Sequence, residues 1–148
     1  MDTYSRMLLR IAMTRLSSPA DAEDAVQEVF LKLLTARPQF RDEEHEKAWL
    51  IRATLHRACD MARAAERRNL PLETAEVLPG GEMPEPSPIL SAVQALPAKY
   101  SAVIHLYYYG GYSIKEISKL LQIPVPTVGT RLSRGRERLR QLLKEDVE

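Results

Sequence analysis

Tyr112-Ser113-Ile114-Lys115-Glu116-Ile117-Ser118-Lys119-Leu120-Leu121 runs into Gln122-Ile123-Pro124-Val125, and then into Pro126-Thr127-Val128-Gly129-Thr130-Arg131-Leu132-Ser133-Arg134-Gly135-Arg136-Glu137-Arg138-Leu139-Arg140. Ser113 and Glu116 have the Ser-x-x-Glu spacing of a capping box, which starts a helix. Ile117, Leu120 and Leu121 give that helix one apolar stripe. Pro126 suits the first position of a second helix, where no amide donor is needed. Val128, Leu132, Gly135, Leu139 and Leu142 recur at helical spacing and form its buried stripe. The positions left over are Gly129, Thr130, Arg131, Ser133, Arg134, Arg136, Arg138 and Arg140, opposed only by Glu137. A charge run is usually a solvated, salt-bridged face. Here the acids needed for that are nearly absent. A short helix, a tight turn and a basic helix are what the major groove of DNA accepts, so the segment reads as a helix-turn-helix that contacts DNA.

The rest of the chain is consistent with two small units. It has 148 residues and a formal net charge of +1. That near-neutral total conceals segregated charge. Asp21, Glu23, Asp24 and Glu28 cluster near the start. Lys47, Arg52, Arg57, Arg63, Arg67 and Arg68 outnumber Asp60 and Glu66 further on. From Asn69 to Ala98 the only charged residues are Glu73, Glu76, Glu82 and Glu85. The single cysteine, Cys59, has no internal disulfide partner, which fits a reducing compartment, and it reads as a small packed or half-buried residue. No signal-peptide pattern and no membrane-length apolar run is visible, so the expected location is cytoplasmic.

Periodicity places the other elements. Tyr4, Leu8 and Ile11 predict a first helix to about Leu16. Ser18 is a candidate cap, with Pro19 in the first helical position and Asp21 near the positive helix end. Ala22, Val26, Val29, Phe30 and Leu33 then form an apolar stripe. Arg37 to Asp42 reads as a loop. A third helix is predicted from about Glu44 to Arg68, burying Ala48, Ile51, Leu55, Ala58 and Ala62. Another face of it carries Trp49, Arg52, His56, Asp60, Arg63 and Arg67. The stretch 70–88 holds five prolines and Gly80-Gly81 and has no apolar period, so it reads as a flexible linker. At ~3.3 Å per residue it could reach about 60 Å, close to two turns of B-DNA. Beyond it, Ile89, Val93 and Leu96 predict a short helix ended by Pro97. Tyr100, Val103, Ile104 and Tyr107 predict another, closed by Gly110-Gly111. Tyr107-Tyr108-Tyr109 is either a stacking platform for bases or packing beneath the helix-turn-helix, and packing is the commoner fate. The predicted fold class is all-α: a helical domain over 1–69, an acidic Pro-rich linker over 70–88, and a helix-turn-helix domain over 89–148.

Two blocks carry a family resemblance. The first is Asp21-Ala22-Glu23-Asp24-Ala25-Val26-Gln27-Glu28-Val29-Phe30-Leu31, followed by Trp49-Leu50 and the Asp60-x-x-Arg63 spacing. The second is Leu96-Pro97 followed by Tyr112 to Arg140. Together they resemble regions two and four of an extracytoplasmic-function (ECF) RNA polymerase sigma factor. The resemblance implies that Asp21, Glu23, Asp24, Gln27 and Glu28 dock on core polymerase. It implies that Phe40, Arg41, Asp42, Trp49, Arg52, His56, Asp60 and Arg63 contact the −10 element and help to open it. Extracting a base costs a few kcal/mol, which calls for an aromatic pocket with phosphate neutralisation. Trp49 beside arginines has that chemistry, and a buried core tryptophan accounts for it equally well. The −35 contacts implied are Gly129, Thr130, Arg131, Ser133, Arg134, Arg136 and Arg138. Base reading would fall on Thr130, Ser133 and Arg134, with Arg131, Arg136 and Arg138 at packing edges or phosphates. The family usually has Asn at the place of His56 and often a basic residue at that of Gly129. The linker glutamates either imitate an RNA backbone in a basic channel or belong to a plain solvated tether.

The implied function is a sigma factor that binds core RNA polymerase, directs it to −10 and −35 promoter DNA and helps melt the −10 region. Anti-sigma proteins are common partners in the family. A stand-alone helix-turn-helix repressor or activator is the alternative, but it leaves the acidic Asp21–Leu31 block unexplained. Enzymatic activity is not expected. His45, His56 and His105 are scattered, Cys59 lacks a catalytic partner, and no phosphate-binding glycine loop or metal-ligand spacing appears. No cofactor or metal is expected.

Overall fold

A computed structural model of the chain describes residues 2–67 and 88–147, with side chains over 4–67 and 88–144. The expected linker over 70–88, with Glu73, Glu76, Glu82 and Glu85, lies outside the described residues except for Pro88, which opens a helix. The chain divides into two compact units, Met1–Pro84 and Glu85–Glu148. Among the described residues all regular structure is helical.

The first unit holds α1 (Asp2–Ala12), α2 (Pro19–Ala36) and α3 (Glu43–Arg67), each packed on the other two. Periodicity predicted α1 to Leu16, and regular helix stops at Ala12. Beyond it the chain tightens: Thr14 and Arg15 donate to the carbonyls three residues back, and the Thr14 hydroxyl takes the Ile11 carbonyl at 2.7 Å. The start of α2 follows its local chemistry. Ser18 is the N-cap, its hydroxyl accepts from the Asp21 amide at 3.3 Å, and Pro19 stands where no amide is needed. Arg37, in the left-handed region at φ 45°, closes α2 by donating to the Leu33 carbonyl. The core comprises Leu8, Ile11, Leu16, Ala22, Val26, Val29, Leu50, Ile51 and Ala58. On α3 it differs from the predicted stripe. Leu50, Thr54 and Ala65 are buried as well, while Leu55 is half-buried. Because α3 meets both α1 and α2, its buried face is wider than one row of residues. The buried Thr54 hydroxyl has no protein hydrogen-bond partner. Cys59 is half-buried; burial pushes its thiol pKa up, against the opposing pull of Arg15 and Arg63.

The second unit holds α4 (Pro88–Ala95), α5 (Ala98–Ile104), a π-helical turn (His105–Tyr109), α6 (Ile114–Leu121) and α7 (Val125–Val147). Helix α7 is the spine, packed by α4, α5 and α6. Gly135 makes this possible. A Cβ there would lie 3.1 Å from Ile104 Cγ1 and 3.3 Å from Tyr100 Cβ, so a glycine lets α5 close on α7. The capping box of α6 is formed in both directions: the Glu116 amide donates to Ser113 Oγ at 3.1 Å and the Ser113 amide to Glu116 Oε1 at 2.9 Å. Gln122, at φ 59°, ends α6, and the next helix begins at Val125, so Pro126 occupies its second position rather than the first. The carbonyl of Pro124 accepts from the amides of both Thr127 and Val128.

The tyrosine run departs from the expected packing. Tyr108 is 55% and Tyr109 69% exposed, and only Tyr107 is half-buried. The wider π turn accommodates one extra residue per hydrogen bond, which shifts the following side chains around the axis. The buried tyrosine is Tyr100, at 4% exposure, and Leu106 fills the next core position. Gly110-Gly111 then reverses the chain. Gly111 has φ 73°, and a Cβ on Gly110 would strike Tyr112 and the Leu106 carbonyl at 2.7–2.8 Å.

Candidate nucleic-acid interface

The outer face of α7 carries the predicted basic row, and the structure sorts its arginines. Arg136 donates to the Tyr108 hydroxyl at 3.0 Å, Arg138 lies 5.1 Å over the Tyr100 ring, and Arg140 pairs with Glu137 at 3.1 Å. Three guanidinium groups thus have partners within their own unit. Arg134, itself hydrogen-bonded to Tyr100, and Arg131 line a shallow cleft of about 270 Å³ with Lys99, Thr127 and Thr130. Thr130, Ser133 and Arg134 are exposed, whereas Arg131 and Gly129 are half-buried. A Cβ on Gly129 would meet nothing within 4 Å, so packing does not require glycine there.

The cleft suits an anion. Lys99, Arg131 and Arg134 bring positive charge, two threonines bring hydroxyls, and the positive end of α7 faces the same side. Tyr100 ties the set together. Burial works to raise its phenol pKa, but the hydrogen bond from Arg134 and the charges of Lys99, Arg138 and Arg134 outweigh it, so the net direction is down. The ring also carries Lys99 Nζ at 5.1 Å. Lys99, Tyr100 and Thr127 were not among the residues expected from sequence. Lys99 stands two residues after Leu96-Pro97, and only the packing of α5 on α7 brings it to the basic row.

In the first unit, the loop between α2 and α3 holds a second cluster. The Phe40 ring lies edge-on to His45, centroids 5.4 Å apart, and to Trp49 at 5.9 Å. Trp49 is half-buried, between the two alternatives its sequence left open. The Arg41 amide donates to His45 Nδ1 at 3.1 Å, and the His45 amide donates to Asp42 Oδ1 at 2.8 Å. Asp42 therefore caps α3, whose first turn is acidic. Arg52 is half-buried; His56, Asp60 and Arg63 are exposed further along the helix, with Asp60 and Arg63 paired to each other. His45 was missed as a member of this cluster. Its signal was spacing: it precedes Trp49 by four residues, one helical turn.

The acidic residues of α2 do not all share one environment. Asp21 and Glu23 are half-buried, and Asp24, Gln27 and Glu28 are exposed. The Glu28 carboxylate is held by the Arg57 guanidinium of α3 through two contacts. Leu31 and Leu34, both 59% exposed, extend the Asp24–Gln27–Glu28 side by about one and two turns, giving an acidic face with an apolar end. Sequence reasoning left these leucines unassigned, although both fall outside the buried stripe. Among the described residues no group of acids, histidines and cysteine is arranged to hold a metal, and no helix is long and apolar enough to cross a membrane.

Comparison with known proteins adds an independent line. The family profile described as Sigma-70 region 2 matches residues 1–68, and that described as Sigma-70, region 4 matches residues 87–139. The chain is 30% identical to the ECF RNA polymerase sigma factor SigW of Bacillus subtilis over 97% of its own length and 87% of the relative's. It is also 30% identical to the RNA polymerase sigma factor SigV of the same organism, over 93% and 86% respectively. The fold resembles the sigma factor RpoE from Bartonella quintana, solved in complex with the anti-sigma factor NepR, with a TM-score of 0.73 at 24% identity over 95% of this chain and 91% of that one.

Proposed function

Because this chain belongs to the extracytoplasmic-function family of RNA polymerase sigma factors, we propose a division of promoter selection between its two units. The protein is a DNA-binding regulator that binds core RNA polymerase and directs it to promoters. In the first unit, the Asp24–Gln27–Glu28 face of α2 docks on the polymerase. Asp21 and Glu23 lie at its edge, and Leu31 and Leu34 supply apolar contact. The Arg57–Glu28 pair orients that face rather than opposing the dock, since a half-exposed pair keeps carboxylate oxygen at the surface. Phe40 and Trp49 receive an unstacked −10 base, and Arg41, Arg52 and Arg63 neutralise the strand that carries it. Asp42 and Asp60 hold their neighbours in place, and His56 meets the duplex edge.

In the second unit, Thr130, Ser133 and Arg134 enter the major groove at the −35 element. Arg131, Lys99 and Thr127 take the adjoining phosphate in the cleft, and Gly129 allows close approach of the strand. Arg136 and Arg138 act at the packing edge, already engaged with Tyr108 and Tyr100. An anti-sigma partner is part of the proposal, because the RpoE relative was crystallised with one.

The observation that carries this reading is the presence, in one chain and in the family order, of a capped acidic α2 and a basic cleft at the head of α7. Reconstitution tests it. Purified chain mixed with core polymerase is expected to form a stable complex that initiates at defined start sites on promoter DNA. Sequence-specific DNA binding by the free chain with no polymerase association would overturn it.

A further inference from the structure

We infer that His45 is a positioning residue of the −10 site, holding the Phe40–Arg41–Asp42 loop against α3 through its Nδ1 and its ring edge. The inference rests on the −10 reading of the first unit and adds a residue which that reading did not contain.

Six residues join the end of α2 at Ala36 to the start of α3 at Glu43. Three of them, Phe40, Arg41 and Asp42, belong to the proposed −10 site, with Phe40 against the unstacked base. A loop of this kind carries its own ordering cost, and a pocket that is not organised in advance returns that cost to the binding step. His45 and Asp42 remove much of that freedom by reciprocal bonds. The Asp42 carboxylate accepts the His45 amide at 2.8 Å, and the His45 ring accepts the Arg41 amide at 3.1 Å. This is a capping box with its return bond displaced by one residue, to the position before the cap. The ring that accepts the bond is the same ring whose edge meets Phe40 at an interplanar angle of 87°. Trp49 follows His45 by one helical turn, and Phe40 packs edgewise on it too, at 63°. One side chain therefore sets both the backbone of the loop and the orientation of its aromatic ring relative to Trp49.

The bond has a chemical requirement. It needs an acceptor where Nδ1 stands. Asparagine places an acceptor oxygen where Nδ1 stands and lacks the ring. Phenylalanine keeps a ring edge and lacks the acceptor. In every such variant the Asp42 cap survives, because Asp42 bonds to the backbone amide of residue 45 and not to its side chain. The start of α3 thus remains capped while the loop is released.

The test uses holoenzyme assembled from the full chain, core polymerase and a promoter fragment recovered by holoenzyme selection. A 2-aminopurine in the non-template −10 strand reports unstacking, and competition reports core affinity. His45→Ala and His45→Phe are expected to lower the rate of opening about tenfold, the scale of one hydrogen bond. Core affinity should stay unchanged in both, which also shows that the first unit is folded. His45→Asn is expected to recover opening to within about threefold of the parent. Parental opening by His45→Phe, or an asparagine variant no better than alanine, would overturn the inference. Phe40→Ala and Trp49→Ala separate the two layers of the argument. If they slow opening and His45→Ala does not, His45 alone is wrongly assigned. If they leave opening untouched, the −10 reading itself fails.

Discussion

In the proposed reading, Arg134 is the residue on which −35 recognition turns. It is exposed, lines the cleft at the head of α7 and is oriented by the Tyr100 phenol. A base-contacting arginine is worth about 1–3 kcal/mol of discrimination. Arg134→Ala is therefore expected to shrink the affinity gap between preferred and altered −35 sequences by that amount, read from holoenzyme binding to a promoter panel. An equal loss on every sequence would assign Arg134 to phosphate instead. The two glycines of α7 make opposite predictions. Gly129→Ala adds a methyl to open space and removes a helix-weakening residue, so it should stabilise the second unit by up to about 1 kcal/mol. Gly135→Ala meets Ile104 at 3.1 Å and should destabilise by about 1–3 kcal/mol. Chemical denaturation of the two variants checks the sign of each. Helical spacing already set Gly135 in the buried stripe and Gly129 outside it, but how closely Ile104 of α5 approaches Gly135 is visible only in the packing.

At the scale of an element, α2 and α6 contrast with the α2–α3 loop. The caps of α2 and α6 were legible because Ser18 with Pro19, and Ser113 with Glu116, act within a single turn. The face of α2 was legible only in part. Its acids were visible, but the pairing of Glu28 with Arg57 depends on how α3 lies across α2, and no local pattern reports that. Asp24 remains exposed on that face. Asp24→Arg is expected to weaken core polymerase binding at least about tenfold through like-charge contact with a basic partner surface, while thermal stability changes by less than about 0.5 kcal/mol. Unchanged affinity would remove this face from the interface. The π-helical turn after α5 was not legible at all. The sequence shows three consecutive tyrosines, but spacing does not report the π-helical register over His105–Tyr109 that leaves Tyr108 and Tyr109 exposed.

For the whole molecule, two separate cores imply two separable stabilities. Leu8 is fully buried among α1, α2 and α3, and Leu8→Ala is expected to cost the first unit about 2–5 kcal/mol. The second unit has its own core around Val103, Ile117, Val128 and Leu132 and should keep its transition. Residue-resolved hydrogen exchange on the variant would show this, and loss of protection in α7 would refute it. What the sequence by itself determined is the set of helices, their caps and the segregation of charge into an acidic α2 and a basic α7. Each of these depends on residues within one or two turns of one another, where spacing alone dictates geometry. Tertiary structure decided which charges are free to act. Packing of α5 on α7 brought Lys99 and Tyr100 to Arg134, and packing of α3 on α2 paired Arg57 with Glu28. Partners such as these meet only after the core has closed, because burial of apolar side chains, and not the polar groups themselves, chooses the helix faces that come together.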